Sequence, residues 1–336
     1  MSTEDEAMKK HIEEQEAKLG NAYQGGVNNE SDKVVIEEQE PVTSFGKMPN
    51  KEYEYRQETH MDVVDKYGWQ LIDVNNLPSA RKGFLFYDTG FKLMIRAGDT
   101  PEVRQWSEID ESNGMSIDEA FNNMLKSCAK VTYGDRGGSY KDILEEDRIY
   151  VLLEIRKLTF PEPENELTFK VSCSDGHENN MKLSNDNFRS VEINSTMKKY
   201  YDGQEKLFVV RTKTYGEIKI KPPTIGIMQA ISTYIADQRQ AGVELDLTFA
   251  KILSYICLDW RGLNAKKIKQ LEADYSTWSK KKFPLMLKLC DDSRVGIETK
   301  MYSKCNSCGV EISADITFPG GIKALFVISD FSDELV

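Results

Sequence analysis

The stretch SKCNSCGVEI, residues 303–312, contains half of a metal site. Cys305 and Cys308 are separated by two residues and followed by Gly309, an arrangement in which a tight turn directs two thiolates at one cation. Apolar and polar residues alternate on both sides of the pair, which predicts a strand before it and another after it. A structural zinc ion takes four ligands in a tetrahedron, so two more must come from elsewhere in the chain.

The best candidate for the second half is VSCSDGHENN, residues 171–180. The alternating stretch LTFKVSC predicts a strand that runs into Cys173, and the Asp-Gly pair ending at Gly176 predicts a turn after it. Cys173 and His177 are four positions apart across this turn, so a thiolate and an imidazole can face one ion. We therefore predict a Zn²⁺ site formed by Cys173, His177, Cys305 and Cys308.

Two other interpretations of these residues stay open: a reduced site without metal, and a redox pair formed by Cys305 and Cys308. A catalytic zinc is less favoured, because four protein ligands leave no coordination position for a reactive water. The other histidines of the chain are His11 and His60, in or near its N-terminal segment, so the folded region offers no second histidine for nuclease chemistry with His177. We expect no catalytic residue, no small-molecule substrate and no enzymatic activity.

Composition narrows the class of protein. The 336 residues include 44 Lys and Arg against 55 Asp and Glu, a net charge of −11, which argues against a protein that coats nucleic acid. No stretch approaches the length of a membrane helix, and the start MSTEDEAMKK lacks the order of a secretory signal. Six cysteines, two of them spaced as Cys-x-x-Cys, are typical of a reducing compartment. We expect a soluble protein made in a cytoplasm, with no membrane partner.

The chain divides into three regions by its sequence pattern. Residues 1–45 hold eleven acidic and four basic residues, too little apolar surface to fold alone, and we predict a disordered acidic tail, either a solubilising leader or a partner-binding segment. Residues 46–165 are expected to form an N-terminal α+β region. Residues 166–336 are expected to form a β region with zinc knuckles and a helical insertion at 224–290. The predicted class is α+β, with zinc-ribbon-like β knuckles flanking that insertion.

Several individual elements follow from periodicity. Strands are predicted between residues 69 and 98. A first helix is predicted to begin with a Ser116–Glu119 capping box, and a second is predicted over 139–160. A hairpin is predicted over 205–221, with its turn near Tyr215 and Gly216. Three helices are predicted in the insertion, on the spacing of Ile227 to Ile235, Phe249 to Trp260 and Ile268 to Trp278. Cys128 and Cys257 lie on apolar helix faces and are predicted to be core thiols. The segment ALFVIS near the end is either a strand or the start of a short helix.

The order of motifs resembles the T4-type baseplate family of contractile-tailed phages. The resemblance rests on NNLPSARKGFLFYDTG (75–90), LMIRAGDTPEVRQWSEI (93–109), a helix ending in KSC (126–128), DILEEDRIYVLLEIRKLTF (142–160), a first cysteine knuckle and KCNSCGVEI (304–312). It covers about residues 69–330 and leaves the acidic tail outside. In the family pattern the first knuckle has a second cysteine three positions after the first, where this chain has Gly176, and His177 stands one residue further on.

The resemblance implies a baseplate hub component or hub assembly protein without enzymatic activity, located in the virion tail baseplate or in the host cytoplasm during assembly. Its partners would be other baseplate hub and tail proteins. The alternative is a zinc-ribbon module that binds nucleic acid or transcription machinery, favoured by the lysines at 266, 267 and 269 and by SKKKF at 279–283. Solvated helix faces explain these lysines equally, so nucleic acid is the less favoured partner.

Overall fold

The computed structural model describes residues 68–80, 83–161, 166–243, 246–318 and 321–326. The chain divides into two units, Met1–Gln57 and Glu58–Val336, and all described residues belong to the second. The predicted acidic tail at 1–45 lies outside the described residues. Within them the class is mixed α+β, as predicted, with eight helices and four small antiparallel sheets.

The first sheet has the order β1 (Gln70–Ile72), β2 (Phe91–Ile95), β3 (Ala129–Tyr133), β4 (Arg136–Gly137). Helices α1 (Thr100–Ser107) and α2 (Gly114–Cys128) connect β2 to β3, and α2 passes into β3 without a loop. Strand β2 buries alternate residues, as the predicted strand pattern requires. Cys128, at the end of α2, is fully buried, which confirms its prediction as a core thiol.

Helix α2 begins earlier than its sequence pattern indicated. Its N-cap is Asn113, whose Oδ1 accepts from the backbone N–H of Met115 at 3.0 Å. The hydroxyl of Ser116 instead accepts from the backbone N–H of Asp110 at 3.0 Å. The predicted Ser116–Glu119 capping box was therefore wrong, because an asparagine is an equally good cap and stands nearer to the preceding turn.

Helix α3 (Arg148–Thr159) is shorter than the predicted helix over 139–160. The first half of that stretch forms two short 3₁₀ turns, Tyr140–Asp142 and Glu145–Asp147. Between them, the backbone N–H of Leu144 donates to the Tyr87 hydroxyl at 3.1 Å, and the carbonyl of Ile143 accepts from Ile225 N at 2.8 Å. These tertiary hydrogen bonds use backbone groups that a continuous helix would need, so the prediction was wrong there.

The next elements are short strands that form three further sheets. Strand β5 (Thr168–Ser172) pairs with β6 (Glu178–Lys182) alone. After β7 (Phe188–Ser190) and the one-turn helix α4 (Ser195–Lys198), strands β8 (Tyr201–Asp202), β9 (Leu207–Thr212) and β10 (Gly216–Ile220) form a three-stranded sheet. The pairing of β9 with β10 confirms the hairpin predicted at 205–221.

Four helices follow: α5 (Ile225–Gln240), α6 (Leu247–Ile256), α7 (Ala265–Ser276) and α8 (Lys282–Asp292). The first three correspond to the predicted helices, and α8 was not predicted individually. Cys257 caps the end of α6 and is half-buried against a small second cluster, whose buried members are Ile227, Ile231, Tyr234, Phe249, Leu253 and Ile268. Burial raises the pKa of the Cys257 thiol to about 11, so it is an inert packing group.

The last strands are β11 (Ile297–Lys304) and β12 (Glu311–Asp315), in a sheet of order β12–β11–β7. The final described element is a 3₁₀ turn at Ile322–Leu325, while most of the FVIS part of the predicted last element lies outside the described residues. A single hydrophobic cluster includes buried residues from both predicted regions, 46–165 and 166–336. No helix among the described residues is both long and apolar enough to span a membrane.

Candidate metal centre

Two β-hairpins present their turns to each other. In the first, between β5 and β6, the N–H of Cys173 donates to the carbonyl of His177 at 3.0 Å, and Gly176 N donates back to Cys173 O at 3.0 Å. In the second, between β11 and β12, Gly309 N donates to Cys305 O at 2.9 Å. Gly176 and Gly309 have φ values of +81° and +71°, a left-handed conformation that favours glycine. The two turns are therefore alike in their glycine conformation, and the second is one residue longer, since Cys305 N donates to the carbonyl of Val310 at 2.8 Å.

The structure brings the four predicted ligand residues together. One ligand atom from each of Cys173, His177, Cys305 and Cys308 lies within 4.8 Å of all the others. The sulfurs of Cys308 and Cys173 are 3.8 Å apart, and Nδ1 of His177 lies 3.4 Å from the Cys173 sulfur and 3.9 Å from the Cys305 sulfur. These four residues could hold a metal ion.

These separations match a tetrahedral shell. Zinc–sulfur bonds of about 2.3 Å and zinc–nitrogen bonds of about 2.0 Å place two sulfurs about 3.8 Å apart and a sulfur and a nitrogen about 3.5 Å apart. A disulfide would instead need a sulfur separation of about 2.05 Å. All six cysteines of the chain are free, and the ligand atoms converge on one point rather than leaving Cys305 and Cys308 as an isolated pair.

A fifth residue, Asn179, joins the two turns. Its Nδ2 donates to the Cys305 sulfur at 3.4 Å and to the His177 carbonyl at 3.0 Å, and its Oδ1 accepts from Asn306 N at 2.9 Å. Asn179 is 5% exposed. It therefore orients a ligand of one hairpin from the strand of the other, in the manner of groups that support metal ligands from outside the first coordination shell.

Hydrogen bonds to sulfur favour the thiolate in the second turn. The backbone N–H of Cys308, followed by those of Ser307 and the Asn179 amide, lowers the pKa of the Cys305 thiol to about 6, although desolvation opposes this. The Cys308 thiol has a raised pKa, since desolvation and the neighbouring thiols Cys305 and Cys173 outweigh a backbone hydrogen bond from Val310. A cation that binds all these ligands displaces the thiol protons that remain.

Burial within the site is uneven. Cys173 and Cys305 are buried, whereas His177 and Cys308 are exposed. The site therefore lies at the surface, between the tips of two hairpins, with two of its ligands in contact with solvent. Sequence reasoning missed Asn179. The only available signal was its inward position in the alternating strand HENNMK, and an asparagine at such a position has many other uses.

Comparisons of the chain with protein-family models, with curated proteins and with solved structures find no match. The function is therefore inferred from the geometry of this site and from the order of the sequence motifs.

Proposed function

We propose that the chain binds one structural Zn²⁺ through Cys173, His177, Cys305 and Cys308, and that its two hairpins form a zinc-ribbon-like clamp. The observation that carries this proposal is the mutual spacing of the four ligand atoms, which fits a tetrahedral shell of three sulfurs and one nitrogen. Three cysteines and one histidine form a donor set that zinc prefers. The Asn179 hydrogen bonds support the same arrangement, since they hold the Cys305 sulfur in place without contacting the ion.

The role of the ion is to hold distant parts of the chain together. His177 and Cys305 are 128 residues apart, and α5 to α8 all lie between them in sequence. A cross-link that closes so long a loop removes much conformational freedom from the unfolded chain. Because four protein ligands fill the shell, no position is left for a reactive water, which supports a structural role over an enzymatic one.

The motif order in residues 69–330 supports a structural or assembly protein of a phage tail baseplate hub. Such a protein acts through contacts with other hub and tail proteins, in the tail baseplate or in the host cytoplasm during assembly. The clamp would fix the shape of one contact surface: Val310, next to the second turn, is 41% exposed and apolar. An exposed apolar side chain on a metal-fixed turn is the kind of feature that protein partners bind.

The zinc proposal is tested by elemental analysis of protein purified without chelator. We expect one equivalent of zinc per chain, and less than about 0.2 equivalents of any transition metal contradicts the proposal, given the tight binding of structural zinc. The assembly role is tested by fractionating tail intermediates and mature tails and probing each for this chain. Its presence in mature particles identifies a component, its presence in intermediates alone identifies an assembly factor, and absence from both contradicts the role.

One observation favours the alternative of a nucleic-acid-binding zinc ribbon. Lys266, Lys267 and Lys269 of α7 are all exposed, and Lys280 and Lys281 are exposed in the turn that follows. Phosphate contacts from such a face must weaken steeply with salt. DNA and RNA binding measured between 50 and 200 mM salt distinguishes the two functions, because a strong salt-dependent affinity supports the alternative and its absence supports the protein-contact role.

A further inference from the structure

Arg156, in the last turn of α3, is a buried cation without an anionic partner among the described residues. Only 7% of its surface is exposed. Its Nε donates to the carbonyl of Ala324 at 3.1 Å, and its guanidinium carbon lies 5.4 Å from the ring centroid of Phe160. Within the described part of the chain, its two terminal nitrogens donate to no acceptor and no carboxylate forms an ion pair with it. A buried charge in this state destabilises the folded protein relative to one that has an ion-pair partner.

The side chain borders a cavity of about 300 Å³. This cavity lies between the end of α3 and the base of the β5–β6 hairpin, at the opposite end of that hairpin from the metal ligands. Its volume is at the lower end of the range for small-ligand pockets. The cavity is therefore large enough to admit a small group beside Arg156.

The other charged groups that line the described part of the cavity carry a net charge of −1, from Lys157 and Lys182 against Glu154, Glu166 and Asp186. Lys182 forms an ion pair with Glu166, and Glu154 accepts a hydrogen bond from Asn185 Nδ2 at 2.6 Å. At the rim, exposed Lys157 is balanced by exposed Asp186. With Arg156 included this lining is neutral, so the cavity offers one guanidinium without an ion-pair partner, among carboxylates that accept from other groups or lie at the rim. A planar anion with a single charge is complementary to it, whereas a doubly charged phosphate would meet the acidic rim.

We propose that this cavity binds a carboxylate group, held in bidentate fashion by the two terminal nitrogens of Arg156. The group belongs either to a small carboxylic acid or to an acidic side chain of a partner protein, since both present the same two oxygens. Desolvation lowers the pKa of Arg156 to about 10, which is consistent with a guanidinium whose charge is not compensated by a neighbour. This site is separate from the metal centre and does not depend on the proposed baseplate role.

A competing explanation makes Arg156 a purely structural group that ties the 3₁₀ turn at Ile322–Leu325 to α3 through the Ala324 carbonyl. The two explanations predict opposite effects of Arg156→Met, which keeps most of the volume and removes the charge. If the cation is uncompensated, the variant melts at or above the temperature of the parent in chloride buffer, because a buried unpaired charge has been removed. If the arginine is a structural tie, the variant melts lower.

The test measures the melting temperature of the zinc-loaded full chain in sodium acetate and in sodium chloride at equal pH and ionic strength. We expect acetate to raise the melting temperature of the parent by about 2 °C, as binding to the folded state requires. The matched control Lys126→Met, which removes an exposed charge of α2 away from the cavity, should keep this response, and Arg156→Met should lose it. An equal response in Arg156→Met, or no response in the parent, overturns the proposal.

Two further titrations identify the ligand. Inorganic phosphate should stabilise the parent less than acetate does, and the reverse order overturns the assignment to a carboxylate. A short peptide with one glutamate between glycines, compared with its glutamine counterpart, separates the two sources. If the glutamate peptide stabilises the protein and the glutamine peptide does not, the ligand is an acidic side chain of a partner. If acetate stabilises the protein and neither peptide does, the ligand is a small carboxylic acid.

Discussion

The helices α5 to α8 and the two hairpins that flank them are stabilised by different forces. Helices α5 to α7 enclose an apolar cluster of their own, in which Leu253 is fully buried and Ile227 and Ile268 are each 1% exposed, while α8 packs its buried residues into the main cluster. By contrast, β5 has no buried residue, and β6 buries one amide and one methionine, Asn179 and Met181. Burial of an aliphatic side chain contributes about 1.5 to 3 kcal/mol, so the β5–β6 hairpin gains less from burial than the helices do. The second hairpin buries Met301 and Ile312 in the main cluster, and the proposed ligation would add a direct link between the two turns.

The largest expected effect is the loss of one metal ligand. We expect Cys305→Ser to lower the free energy of unfolding by about 4 kcal/mol or more, the magnitude for losing a cross-link across a loop of this length. Cys308→Ser should lower the free energy of unfolding by a similar amount, and a chelator should cause the same loss of stability in the parent. Thermal unfolding and zinc content measure the effect.

The matched control for this substitution is Cys257→Ser, which places the same change outside the site. A Cys305→Ser chain that melts like the parent and still supports formation of infectious tails would remove both the metal clamp and the assembly role from consideration. It would also contradict the view that the hairpins, unlike the helices, depend on metal ligation for their stability.

The second largest loss of stability is expected from a substitution in the helices. Leu253→Ala, in the middle of the second cluster, should cost about 2 to 5 kcal/mol by leaving a cavity among packed side chains. Zinc content should stay at the parental value, because none of the four proposed ligand residues belongs to this cluster. Chemical denaturation together with elemental analysis gives both quantities, and a joint loss of stability and zinc would show that the two regions are not independent.

A smaller effect on stability is expected from a substitution of Glu146. This residue lies in the 3₁₀ turn before α3 and contacts the start of the strand that ends beside Cys305. An added Cβ on Gly296, the residue before β11, would lie 2.7 Å from the Cβ of Glu146, so the two residues are in close contact. Burial raises the pKa of Glu146 to about 7. Since its ordinary value is about 4.5, this group favours folding below that pH, and the benefit is lost as pH rises through about 7.

We therefore expect Glu146→Gln to gain on the order of 2 kcal/mol of stability relative to the parent between pH 5 and pH 8. Denaturant titrations at both pH values measure this gain. Glu119→Gln, an exposed position on α2, is the matched control and should show no such difference. If the free energies of unfolding of the parent and Glu146→Gln differ by the same amount at the two pH values, the raised pKa of Glu146 is contradicted.

The smallest effect is expected for Cys257→Ser. The thiol is half-buried at the end of α6, so a serine hydroxyl there is partly reached by water and should cost only about 1 kcal/mol. Zinc binding should be unchanged. Calorimetric melting of the zinc-loaded protein measures the effect, and a loss as large as that of Cys305→Ser would mean that packing, not ligation, explains the cysteine variants.

Local sequence patterns predicted the elements whose stability is local. The β9–β10 hairpin and helices α5 to α7 follow from period and turn residues alone. The four ligand residues could be proposed because a turn that directs two ligands at one ion has a fixed spacing, although the sequence left open whether the two halves would meet.

Apart from the Asn113 cap, the failures of prediction involve long-range contacts. The stretch before α3 has helical periodicity, yet Leu144 forms a bridge with Thr224 and donates to Tyr87, two partners that are distant in sequence. Asn179 was missed for the same reason, since its partners Cys305 and Asn306 lie on the other hairpin. Arg156 looked like an ordinary residue of an amphipathic helix because its burial depends on the final 3₁₀ turn. No local pattern records such contacts.

The separation of the two half-sites also has a consequence for the order of events during synthesis. His177 leaves the ribosome 128 residues before Cys305, which at about 5 to 20 residues per second is an interval of roughly 6 to 26 seconds. During this interval Cys173 and His177 form an incomplete pair that binds a cation only weakly. Helices α5 to α7 are synthesised within the same interval and can assemble their cluster from local contacts. Under the proposed metal binding, capture of the ion would therefore be a late event that follows the assembly of these helices.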